Sequence, residues 1–423
     1  MLGTIVKKEI LENLYSYKFS VITLLSVILV FISVLTMHSD YQMRMEHYEQ
    51  LISYKEQSTS LLKPAPLSIF AKGLDESLCS IYKMSRIIGG YCFQSLQNQQ
   101  SYNVLFKMFA APDLFFLVKI VLSLCAILFS FNLVSGEKES GTLRLSLASS
   151  TDRAKLLAGK WIGGFSCVAF PALIAFLFGI LLISLSADVQ MQGEEYLKLL
   201  FLLVSCFLYL AFFFTLGLLA SCFYKRSSSA LIVSLFLWIV FVLVVPNLSG
   251  VMARKIVKIP SAQRLSFIKS QGKFEINDRM QNESLEIGAW GPFSTGYVYD
   301  LEGSDLIMDY RSRLNEQIEC TIMLVRLSPV GVFTLMAADF SNTGILEMNK
   351  HKQAYLNYKN IFLEELKFEN GNVVKDHPQF LYERSSLKEI LVGGGLLNIT
   401  LILLQNLVVF AGAYVLFLRY DVR

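Results

Sequence analysis

Six apolar runs limit what this chain can fold into: Phe19–Met37, Asp113–Val134, Trp161–Leu185, Leu199–Cys222, Ala230–Pro246 and Leu391–Leu418. A bilayer core calls for about 20 apolar residues per spanning helix. Backbone groups in lipid must be satisfied internally, so only helices or closed barrels cross. The runs are continuous and show no period-2 alternation, which selects helices. Only 17% of the 423 residues are charged, against about a quarter in soluble domains. The expected fold is an all-α integral membrane protein. It has six transmembrane helices and a large, mainly helical extracytoplasmic domain built from two insertions, residues 38–112 and 247–390.

Orientation follows from Lys and Arg in short loops. The 135–160 loop carries Lys138, Arg144, Arg153, Lys155 and Lys160, and the next loop on that side carries Lys225 and Arg226. The N-terminal segment adds Lys7, Lys8 and Lys18; the C-terminal end adds Arg419 and Arg423. The opposite loop, "SADVQMQGEEYLK", is acidic on balance. Both termini and the 135–160 loop are therefore expected on the cytoplasmic side. Residues 1–18 read as an amphipathic interfacial helix, with Val6, Ile10, Leu14 and Tyr17 as its apolar stripe. Glu9 and Glu12 precede the first run and no small-residue cleavage site follows it, so it reads as a retained span.

The first insertion begins as a continuation of the first span and breaks at Pro64, Pro66 and Gly73. In the second, "IPSAQRLSFIKSQGKFEINDRMQNESLEI", "LIMDYRSRLNEQIECTIMLVRL" and "ILEMNKHKQAYLNYKNIFLEELKF" read as helices. "WGPFSTGYVYDLEGSD" and "SPVGVFTLMAADFSNTG" read as loop and turn, and "ENGN" as a turn. Of seven cysteines, Cys125, Cys167, Cys206 and Cys222 fall in spans as packing residues. Cys79 and Cys92 could pair in an oxidising compartment. The net charge of +4 comes without a dense basic tract, which argues against nucleic acid. No phosphate-binding loop, H-E-x-x-H, C-x-x-C or G-x-S-x-G occurs, so neither nucleotide hydrolysis nor another catalytic site is expected on this chain. Among the spans Lys119 is the clearest ionisable residue, near enough to an end to snorkel. Gln405 and Asn406 read as helix-joining polar residues or, less simply, as lining of a path. Gly163, Gly164 and Gly393 to Gly395 would permit close helix approach.

The loop "GEKESGTLRLSLASSTDRAKLLAGKW" is chemically richer than a connector needs. Gly136, Glu137, Glu139, Gly141, Thr142, Leu143, Leu145, Leu147, Arg153, Gly159 and Lys160 follow a spacing that resembles the cytoplasmic loop of ABC-2 type transporter permeases. Ser146 and Ser150 depart from it, where Leu and Pro are usual. "VKKEILENLYSYKF", "PAPLSIFAKGLDES" and "LSPVGVFTLMAADFSNTG" resemble segments of the multi-copper enzyme maturation branch with enlarged outer loops. The resemblance implies a permease subunit in a bacterial plasma (inner) membrane, working as two copies or with a related permease. ATP and Mg would sit on a separate cytoplasmic ABC ATPase, with no cofactor on this chain. It also implies an ATPase-coupling surface from Lys8, Glu9, Glu137, Glu139, Gly141, Thr142, Arg144, Arg153 and Lys160. On their own chemistry, Gly141 permits a sharp turn, Thr142 suits a helix start, and Thr151 or Asp152 can cap the next helix. ATP-driven motion would serve export or remodelling of an outer domain and an outside protein partner. The alternative is a membrane-anchored binding or scaffold protein without an ATPase.

Beyond the first run, Met43, Met45 and His47 combine thioethers with an imidazole, a set that suits Cu(I). The plainer reading is methionine as flexible filler.

Overall fold

The computed structural model describes residues 2–53, 62–75, 82–87, 90–95, 113–148, 152–184, 189, 191, 193–259, 305–365, 368–369, 372–373 and 380–420. In chain order its helices are α1 (Leu2–Leu14), α2 (Tyr17–Ser53), α3 (Leu114–Ser140), α4 (Thr142–Ala148), α5 (Arg153–Ser184), α6 (Gly193–Phe223), α7 (Ser227–Ile256), α8 (Asp305–Val325), α9 (Pro329–Phe340), α10 (Ile345–Glu365) and α11 (Leu387–Leu418). Among the described residues, α2, α3, α5, α6, α7 and α11 are the six long and apolar enough to cross a membrane. The all-α, six-span expectation holds. Two short antiparallel hairpins are added outside the spans. One pairs β1 (Tyr82–Ile87) with β2 (Gly90–Ser95). The other pairs β3 (Phe368–Glu369) with β4 (Asn372–Val373). Cys79 and the expected helix from Pro260 to Ile287 lie outside the described residues.

α6 is the centre of the bundle: 67% of its apolar window is buried in the protein, against 17% for α7 and for α11. Its Leu202, Leu210, Phe213, Phe214 and Leu218 are fully enclosed. α7, α11 and α2 keep most of their apolar surface outward, as lipid-facing helices do. Asn406 Nδ2 donates to the Leu208 carbonyl at 3.1 Å, tying α11 to α6. The polar residues of the last span thus act as helix joiners.

One element departs from the sequence reading. "SPVGVFTLMAADF" is not a turn but the helix α9, buried along nearly its whole length. Ser328 caps it by accepting from the Val330 N–H, with Pro329 in the first turn. A helix apolar all round has no period to detect, and its Pro and Gly look like punctuation. Its start is held deep: Ser328 Oγ donates to the Phe241 carbonyl of α7 at 2.6 Å. Gln405 Nε2 donates to the Arg326 carbonyl at 3.2 Å. At 1.5 Å rise per residue, Gln405 and Phe241 each lie about 20 Å from the near ends of their helices, inside a core of about 30 Å. α8 therefore descends into the membrane and α9 climbs back, ending where Phe340 stacks on Phe201 at 5.3 Å.

One face of the bundle gathers α1, the end of α3, α4, the start of α5, the end of α6, the start of α7 and the end of α11; it is called the basic face below. The opposite face is capped by polar networks joining both insertions. Arg44 on the extension of α2 pairs with Asp40 at 2.9 Å and with buried Asp75, which also accepts from Arg384 at 3.2 Å. Lys198 donates to Asn342 Oδ1 at 2.9 Å and to the Ser385 carbonyl at 2.8 Å. The Leu74 N–H donates to the Thr343 carbonyl at 2.8 Å, locking the first insertion onto the second. Gly73, at φ +48°, makes that approach possible; a Cβ there would lie 2.4 Å from Thr343 Oγ1. Gly73→Ala should cost about 1–3 kcal/mol, read as a lower thermal midpoint. Gly250→Ala, with nothing within 4 Å of its added carbon, should not lower it.

His351 of α10 is enclosed by Tyr382 and Phe380, ring centres 5.1 and 5.7 Å away. Burial, reinforced by Arg384, holds its pKa down at about 4 from an ordinary 6.5. As pH falls through that window the unfolded chain takes the proton first, so stability present above it is lost. About 2 kcal/mol should disappear between pH 7 and pH 5. Thermal midpoints at the two pH values should separate in the wild type and draw together in His351→Phe.

Candidate functional site

The site grows from a charged residue on an apolar face. The inward side of α1 is Ile5, Val6, Glu9, Ile10 and Asn13, so the stripe is centred on Glu9, which is 5% exposed. Leu14, read from the sequence as part of the stripe, is exposed. α1 comes close to α5 because that helix carries glycine at i and i+4. A Cβ at Gly159 would stand 2.8 Å from Ile5 Cγ2, and one at Gly163 2.7 Å from Glu9 Cβ. Gly164 does the same for α6, at 2.7 Å from Phe214.

Lys160, on the turn between those glycines and 3% exposed, closes the site. Its ammonium donates to Glu9 Oε1 at 2.7 Å and to Glu137 Oε1 at 2.7 Å. One buried cation thus joins α1, the last turns of α3 and the first turns of α5. Taking a lysine and a carboxylate out of water costs several kcal/mol per ion, so neither survives there without the other. Glu137 Oε2 is buried and accepts no hydrogen bond among the described residues, which leaves one unsatisfied acceptor in the junction.

The rest of the loop is fastened to helix ends by charge. Lys138 donates to the carbonyls of Ser221 at 3.2 Å and Tyr224 at 3.3 Å, and to that of Cys222, at the C-terminus of α6. Arg153 donates to the carbonyls of Leu418 at 2.6 Å and Tyr420 at 3.3 Å, at the end of α11. Glu139 accepts from Ser227 N at 3.2 Å and Oγ at 2.9 Å, at the start of α7. Cations sit at C-termini and the carboxylate at an N-terminus, as helix dipoles favour. Ser221 Oγ further accepts from Val134 N at 2.9 Å and Ser135 N at 2.8 Å.

The residues singled out in the sequence therefore divide. Glu9, Glu137 and Lys160 converge on one point. Glu139 and Arg153 each bind a different helix end. Gly141, at φ +76°, turns the chain between Ser140 and α4. Asp152 accepts from the Ala154 N–H at 3.1 Å at the start of α5. Thr142 opens α4, and Arg144 lies exposed on it beside Leu145, which is 75% exposed, while Leu143 turns fully inward. Lys8 is exposed, 3.5 Å from Glu12. Met43 and His47 stand exposed on α2, but Met45 turns to the core, so the three do not share a face. Lys138 was read from the sequence only as an orienting charge, and Ser221 and Ser227 were not singled out. A capping lysine three carbonyls away in space leaves no local signal, whereas Glu9 interrupting an apolar stripe, opposite Gly159 and Gly163, was a usable one.

The family model for ABC-2 family transporter protein matches residues 3–422. A comparison with curated proteins finds no match. The chain belongs to the ABC-2 transporter family: it is a multi-pass, non-catalytic transmembrane subunit of a transporter, of a kind that in general works with an ABC ATPase.

Removing the buried cation leaves two carboxylates facing each other. Lys160→Met should cost about 3 kcal/mol or more. Glu9→Gln, which keeps the hydrogen bond and the pair with Glu137, should cost about 1 kcal/mol. Lys8→Ala should leave the thermal midpoint unchanged.

Proposed function

We propose that this subunit couples ATP hydrolysis on a separate cytoplasmic ABC ATPase to movement of its membrane helices, and that the basic face is cytoplasmic. The observation that carries the reading is Lys160 held between Glu9 and Glu137, because it makes α1, the loop and α5 one mechanical unit. Glu137, Lys138, Glu139, Arg153 and Lys160 are spent on that unit and on helix ends, so they support the surface rather than form it. The docking surface proposed here is the outward side of α4, centred on Leu145 with Arg144, flanked by Lys8 on α1. A push there is delivered to α5 through Lys160, to α6 through Lys138 and to α11 through Arg153. The unsatisfied Glu137 Oε2 makes the junction the place where a second arrangement costs least.

A cavity between α2, α3, α5 and α6, lined by Ser26, Val30, Val118, Ala175 and Phe176, has room for about one water molecule, ≈ 20 Å³, and is apolar. A solute route is proposed at the interface of two permease subunits rather than through that cavity. Remodelling of the extracytoplasmic insertions is the second reading, favoured by the networks that tie the insertions to α2, α6 and α11 and to each other.

Affinity purification from native membranes tests the docking surface. Wild type should recover a phosphate-loop ATPase. Leu145→Asp should lower that recovery about tenfold, the cost of placing a charge where a leucine is buried. Lys8→Ala, at the flank, should lower it less. Recovery of no ATPase by wild type under several mild detergents favours the scaffold alternative.

A further inference from the structure

We propose that Arg326, at the re-entrant turn between α8 and α9, is a binding site for the phosphate of a phospholipid in the leaflet away from the basic face. Arg326 is a half-buried arginine at the edge of the hydrocarbon. Its partner Asn398 lies about 30 Å above Leu418 along α11, the depth at which a core of about 30 Å gives way to phosphates and esters. Among the described residues only one side of its guanidinium is hydrogen-bonded. Nε donates to Asn398 Oδ1 at 3.0 Å, and among the described residues no acceptor is in hydrogen-bond reach of the two terminal nitrogens. Asp339 of α9 lies within electrostatic range of Arg326, but among the described residues it accepts no hydrogen bond from it, so the terminal nitrogens of a charge at this depth are left for an anion or water.

The surroundings fit the headgroup and chain of one lipid. Nη2 faces the stretch of α11 where π-helical Leu391–Gly395 holds Gly394 at φ +133°. A Cβ on Gly394 would lie 3.6 Å from Nη2, so the glycine keeps a notch open beside the guanidinium. The residues near Arg326 and Gly394 in the chain include exposed apolar side chains: Leu327 is 69% exposed, Met323 67%, Val392 77% and Leu396 56%. A guanidinium binds phosphate through two parallel hydrogen bonds, and Arg326 has two terminal nitrogens to offer. Exposed Leu327 and Leu396 then line the first stretch of an acyl chain. A soluble anion gains nothing from that wall, which is why the site is assigned to a lipid.

The test is native mass spectrometry of the full-length protein released from detergent, titrated with dioleoyl phosphatidylglycerol, dioleoylglycerol or inorganic phosphate. One phosphatidylglycerol should be retained, dioleoylglycerol should not, and millimolar inorganic phosphate should fail to displace the lipid. Arg326→Gln should weaken phosphatidylglycerol binding about tenfold or more, the loss of a charge-assisted pair. Asn398→Ala, which frees Nε and keeps the guanidinium, should retain the lipid. Equal retention of dioleoylglycerol by wild type overturns the proposal whether or not any variant folds. Displacement by inorganic phosphate reassigns the site to a small anion and also overturns it, as does unchanged binding by a monodisperse Arg326→Gln.

Discussion

A single buried ammonium, Lys160, organises the basic face. It is 2.7 Å from carboxylate oxygens of both Glu9 and Glu137, and these three residues come from three helices. Coulomb attraction at that distance in a poorly hydrated site is strong, and so is the desolvation it must offset. The balance is favourable only while all three helices keep their positions. The glycines at 159 and 163 are the steric condition for it, because any side chain there pushes α1 off α5. Electrostatics and close packing thus specify the same arrangement, and neither alone would hold α1 against the bundle.

The same logic, with weaker interactions, extends across the face. Lys138, Arg153 and Glu139 each satisfy groups at a helix terminus, where backbone donors or acceptors have no partner within the helix. α6, the most enclosed helix, is held at both ends: by Lys138 on the basic face and through Lys198 to Asn342 and Ser385 on the other. Movement imposed on the loop has a path of direct bonds to the insertions, through the centre of the bundle rather than around its lipid-facing rim.

Six spans, the continuation of α2 past the membrane and the helices α8 and α10 were legible because their apolar runs or helix-forming stretches are long. α9 was not, because a helix enclosed on all sides carries no amphipathic period and its Pro329 and Gly331 imitate a turn. The loop residues were legible as a group through the spacing of Gly136, Glu137, Glu139, Gly141 and Thr142. Their individual jobs were not. The sequence makes Glu137 and Glu139 look like free carboxylates for a partner, whereas the fold uses one on Lys160 and the other on Ser227. Pairings across 151 residues, as between Glu9 and Lys160, are decided by helix packing that no local pattern encodes.

The central claim is that Lys160 transmits motion from the docking surface to the spans. The most direct measurement is the distance between spin labels, carried by an unnatural amino acid at the lipid-exposed positions Leu181 of α5 and Leu407 of α11. It would be read in the ATPase-bound complex with and without a non-hydrolysable ATP analogue. The account predicts a nucleotide-dependent change in wild type that is lost in Lys160→Met while the ATPase stays bound. The same change in Lys160→Met, with the ATPase bound, would contradict it.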